Sequence, residues 1–203
     1  MYPPVPSAKQ AVTRNGSPGQ MLIEAIIGIA VVSSVLVVLL SLSLRTLKIQ
    51  VQNKEWQKAD QLEQEALEAI RQIRDGMGII RLTDPAQDLP WDWSSETIWE
   101  NDAPTYFRLY YDAASSWWVL EKTDEDNLAD PYFRLSLDET TMRYGHRGAG
   151  GFPDDARLTT LYRQIIFSET DNTPISRTLS CVIGWKDGDI LHESKLVTIL
   201  SDW

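Results

Sequence analysis

Cysteine is nearly missing from this chain: Cys181 stands alone, so no internal disulfide can form and no paired-cysteine metal motif exists. Histidine is almost as scarce, with only His146 and His192. No G-x-S-x-G elbow is present, and the glycine-rich Gly148-Ala149-Gly150-Gly151 lacks the lysine and following helix that a phosphate-cradling loop needs. Carboxylates are plentiful, yet no pair is singled out for acid-base work, so no enzyme activity, no cofactor and no metal is expected. The 19 Lys and Arg are outnumbered by 29 Asp and Glu, for a net charge of −10. Such a balance repels phosphate backbones, and nucleic acid is not an expected partner. Two local absences say more: residues 25–44 carry no charge at all, and residues 45–75 contain neither glycine nor proline.

The uncharged run, AIIGIAVVSSVLVVLLSLSL, has the length of about 20 apolar residues that a helix needs to cross a hydrocarbon core. Glu24 stands directly before it. A carboxylate near the end of a span costs roughly 2.5–3.5 kcal/mol if it sits deep, so it asks for a partner. The first 19 residues are polar and rich in Pro, Gly and Ser, with Lys9 and Arg14 their only charges. They read as a flexible leader rather than a secretory signal, whose cleavage site would follow the apolar run instead of preceding it. Lys and Arg counts do not orient the span: two precede it, while Arg45, Lys48, Lys54 and Lys58 follow. An ordinary single-span anchor with a stray glutamate fits these counts as well.

A polar leader ending in Gly19, then Gln20-Met21-Leu22-Ile23, Glu24 and a long apolar helix resembles the type IV prepilin and pseudopilin family. The resemblance implies cleavage between Gly19 and Gln20 by a prepilin peptidase on the cytoplasmic side, N-methylation of Gln20, and a role for Glu24 in assembly. In that family the glutamate is held to neutralise the amino terminus of a neighbouring subunit. It also implies an α+β fold, with a long N-terminal helix packed on a C-terminal antiparallel sheet. The expected partners are the membrane, other pilin or pseudopilin subunits and assembly-platform proteins. The head would lie outside the cytoplasm, in a cell-surface or periplasmic filament. The chain departs from the usual pattern at Gln20 and Met21, where Phe and Thr or Ser are common, and at Pro18, where a basic residue is. These departures and the missing cysteine pair lean toward a minor subunit.

The residues divide the chain accordingly: leader 1–19, membrane or filament-core helix 20–44, amphipathic continuation 45–75, sheet-bearing head 76–203. In 45–75, Leu62, Ala66, Ala69, Ile70 and Ile73 recur at helical spacing between charged residues, and Gly76 and Gly78 supply a stop. Alternation predicts strands at 105–111, 117–121, 161–167, 177–185 and 191–200, joined as three hairpins. Cys181 falls on the apolar face of one of them and reads as a buried small hydrophobe. Residues 145–155 are glycine-rich and predicted to be an exposed loop. Trp91, Trp93 and Trp99 either cap the sheet core or, as exposed rings, serve a membrane-anchored module that binds a glycan or cell-wall polymer; the capping role is preferred. Trp117, Trp118 and Trp185 are expected to be structural. Asp124, Glu125, Asp126, Asn127 and Asp130 offer oxygen ligands, but the spacing fails the EF-hand template and a solvated acidic turn is preferred to a calcium site.

Overall fold

A computed structural model describes residues 18–83, 86–95, 97–99, 104–147, 149–169 and 176–201. The leader expected at 1–19 therefore lies almost wholly outside the described residues. One α-helix, α1 (Pro18–Arg74), is followed by nine strands: β1 (Gly78–Thr83), β2 (Ala86–Leu89), β3 (Thr105–Asp112), β4 (Trp117–Thr123), β5 (Arg134–Asp138), β6 (Arg143–Gly145), β7 (Arg157–Glu169), β8 (Ser176–Asp187) and β9 (Ile190–Ser201). The class is α+β, as expected. By internal contacts the chain forms two units, one ending at Gln52 and one beginning at Asn53.

In the second unit, Ala59, Leu62, Ala66, Ala69, Ile70 and Ile73 are all buried. Their three- and four-residue spacing makes one helix face, and the predicted stripe is among them. They join one core with Phe107, Leu109, Leu120, Ile165, Phe167, Leu179, Cys181 and Ile183 of the sheet. A left-handed Gly76 (φ +86°) follows the helix, and Gly78 then passes so close to it that an added Cβ would lie 2.5 Å from Ile73 Cγ1. Glycine ends the helix and lets the first strand start against it.

The sheet is mixed, which corrects the expectation of an antiparallel one. β1 runs parallel to β4, with Gly78 opposite Trp118 and Arg81 opposite Glu121, while the remaining pairings are antiparallel. A parallel pair needs a long crossover; here β2, the tryptophan segment and β3 supply it. Strand β7 is the hub. One of its edges pairs along its length with β8, and the other is shared by β5 and β3. Beyond the predicted strands lie β1, β2, β5 and β6, all of six residues or fewer. The segment 145–155 is also a correction: Gly145 closes β6, and His146 and Ala149 are buried. An added Cβ on Gly145 would strike the Phe152 ring at 2.5 Å, so this glycine permits a packed turn rather than a floppy one.

The tryptophans separate by depth. Trp99 is buried, and Trp91 and Trp93 pack against the same core, edge-on at 5.2 Å from Trp91 to each of the other two rings. Arg177 lies over the Trp99 ring at 4.7 Å. These three cap the core, whereas Trp117, expected to be structural, is 44% exposed on β4. Cys181 is buried, and burial pushes its thiol up to about 12, so it stays protonated and packs as a hydrophobe.

Candidate functional site

The most unusual surface is the helix before Gln52. Residues 19–51 are exposed throughout, including Leu22, Ile27, Val31, Leu36, Leu40 and Leu44. The helix is long and apolar enough to cross a membrane, and its apolar run is exposed. Three of its hydroxyls bond back to the helix. Ser34 Oγ donates to the Val31 carbonyl at 2.7 Å, Ser41 to Val37 at 2.8 Å and Thr46 to Leu42 at 2.9 Å. Such bonds matter where no water is available to take the hydroxyl proton.

Gly19 and Gln20 occupy the first turn of α1, which begins three residues before Met21. Pro18 suits that opening position because its missing N–H has no intrahelical acceptor to lose. Glu24 is exposed one turn on, four residues from Gln20 and therefore on the same helix face.

Within the head, the sequence did not announce a buried ionic group. Arg163 on β7 is fully buried; its Nη1 donates to Glu65 Oε1 at 3.2 Å and its Nη2 to the Leu109 carbonyl at 2.8 Å, while Nε lacks a hydrogen-bond partner. The signal was present: Leu161, Arg163, Ile165 and Phe167 share one strand face, and a cation in that register points at the core. Glu63 on the helix is 5% exposed, and burial raises its carboxyl, against a hydrogen bond from Ser194.

A cleft of about 510 Å³ opens beside this group. Tyr110, Tyr111, Trp118, Tyr144 and Phe152 line it, with His146, from strands β3, β4 and β6 and the turn after β6. The far wall is tied down by a bond from Ala113 N–H to the Gly150 carbonyl at 2.8 Å, and Gly150 has φ +57°. Both His146 ring nitrogens lack hydrogen bonds, although the Arg134 and Leu109 backbones approach the ring closely enough to favour its charged form slightly. Burial dominates, with the Arg163 and Arg108 cations next, and holds the imidazole well below its usual range.

The sign of the pH effect follows. The unfolded chain protonates this histidine below about pH 6.5, while the folded chain does not. Stability is thus intact above that pH and falls as pH drops below it, by up to about 1.4 kcal/mol per unit. Denaturation followed by tryptophan fluorescence at pH 7 and pH 5 should show the wild type losing about 2 kcal/mol more than His146→Gln. Equal losses in the two proteins would place the imidazole in water.

Among the described residues, no group of three or more His, Cys, Asp or Glu is placed to hold a metal ion. Compared with known proteins, the chain matches no family model, none of the curated proteins and no solved structure.

Proposed function

We propose that the chain is a prepilin-like structural subunit that is cut after Gly19 and assembles through its apolar helix into a type IV pilus or a related pseudopilus. The observation that carries this reading is the single carboxylate, Glu24, on the uniformly exposed apolar surface of residues 19–44. Cutting at Gly19 creates an ammonium on Gln20, one turn from Glu24. Opposite charges in lipid offset one another's desolvation, within one subunit or between neighbours. A surface that is costly in lipid when alone thereby becomes a joint between helices. The pilin-like arrangement is supported by the α+β architecture and the buried helix face from Ala59 to Ile73. In this reading the subunit sits in the cytoplasmic membrane with its head outside the cytoplasm, is a minor component, and meets prepilin peptidase, other pilin or pseudopilin subunits and assembly-platform proteins.

Intact mass of the membrane-extracted protein tests the processing step. The expected species starts at Gln20 and carries one added methyl group. A native protein that retains Met1 would overturn the reading.

A further inference from the structure

The proposed processing and assembly make no use of the aromatic cleft in the head, and its chemistry is that of a sugar site. We propose that it binds a neutral saccharide. Trp91, Trp93 and Trp99, for which the sequence left a glycan role as the alternative to capping, pack on the core, and the fold gathers a different set of rings here. Tyr111 on β3 is 39% exposed and meets Trp118 on β4 edge-on at 5.5 Å. Tyr144 and Phe152 stand half-buried along the same cleft. A pyranose ring has an apolar C–H face and a rim of hydroxyls. Rigid rings accept the first with little entropy lost, and a few polar groups fix the second.

Those polar groups are present. Asp138 and Arg143 line the cleft, opposite each other where β5 and β6 meet their hairpin turn. Asp138 is preset by bonds from Thr140 N–H at 2.9 Å and the Thr141 hydroxyl at 2.6 Å, which still leave lone pairs on both carboxylate oxygens. His146 is a buried polar group in the lining, behind the exposed rings. Glu65 and Asp138 in the lining, with the net charge of −10, disfavour an anionic ligand. The volume falls within the roughly 300–1,000 Å³ of small-molecule sites. Left-handed backbone at Met142 (φ +56°), Gly150 and Gly151 (φ +76°) shapes the wall, and Met142, a non-glycine held there, is the kind of strain found at ligand clamps. This inference holds whether or not the chain joins a filament.

The test uses the full chain in a detergent without a sugar headgroup, with maltotriose and chitotriose as probes. Saturation-transfer NMR should show transfer from protein aromatic protons to the sugar C–H protons of at least one probe. Tyr111→Ala and Arg143→Ala should each weaken that binding about fivefold, with melting temperature unchanged. Trp117→Ala, an exposed ring outside the cleft, should bind as the wild type does. No transfer from either sugar at about 10 mM, above the millimolar range of weak sites, would overturn the proposal. So would binding that survives both cleft variants, or that is lost only in Trp117→Ala.

Discussion

If Glu24 has the proposed role, Glu24→Ala is expected to leave a folded, membrane-inserted protein that enters filaments poorly. The substitution removes the one charge on the exposed apolar surface of residues 19–44, so insertion itself becomes easier. What it would strand is the ammonium that the proposed processing would place on Gln20. An unpaired charge in a helix span costs roughly 2.5–3.5 kcal/mol on insertion scales, and each 1.4 kcal/mol is tenfold in an equilibrium. Recovery of the variant in sheared filaments should fall at least tenfold, while the head, which begins at Asn53, keeps its melting temperature. Glu24→Gln separates charge from shape. It keeps size and hydrogen bonding but not the charge, and it should fail nearly as badly as alanine. Normal incorporation of either variant would show that Glu24 is a tolerated passenger in an ordinary anchor.

How much of this was written in the sequence depends on the length over which a pattern repeats. The apolar stripe Leu62, Ala66, Ala69, Ile70 and Ile73 was legible because it runs through about three turns of helix, and all five are buried. Strands β7, β8 and β9 were legible for the same reason, each being twelve residues or more. The four short strands were not. Gly-Ile-Ile-Arg-Leu-Thr in β1 is too brief to show a period, and its parallel pairing with β4 is decided by where the chain leaves α1, a tertiary fact. Glu24 as a candidate was readable because an isolated charge in an apolar run is conspicuous. The cleft was not, because Tyr111, Trp118, Tyr144 and Phe152 come from separate segments that only the sheet brings together.

The buried Arg163 leads to the second large effect, and it is an asymmetric one. Its partner Glu65 keeps its side chain 42% exposed, while the arginine side chain is 1% exposed. Removing the acid by Glu65→Ala leaves a desolvated guanidinium with the Leu109 carbonyl as its remaining acceptor. Breaking a buried pair from that side costs about 3–5 kcal/mol, and water reaching the vacated Glu65 position argues for the low end, about 3 kcal/mol. Removing the base by Arg163→Met is a different event. The thioether fills the space of the arginine stem, and Glu65 turns to solvent, so the cost is about 1 kcal/mol, chiefly for the bond lost at Leu109. The double variant should resemble Arg163→Met alone, which gives a coupling near 3 kcal/mol in a double-mutant cycle read by chemical denaturation. If Arg163→Met proves as damaging as Glu65→Ala, the guanidinium is stabilising the core by itself. The expected asymmetry means that this pair contributes little net stability. Its contribution is positional: residues 98 apart in sequence can meet only when the Ala59–Ile73 face of α1 lies on the sheet in one register. An all-apolar interface would permit that face to slip by a turn, at a smaller penalty than an unpaired buried cation imposes.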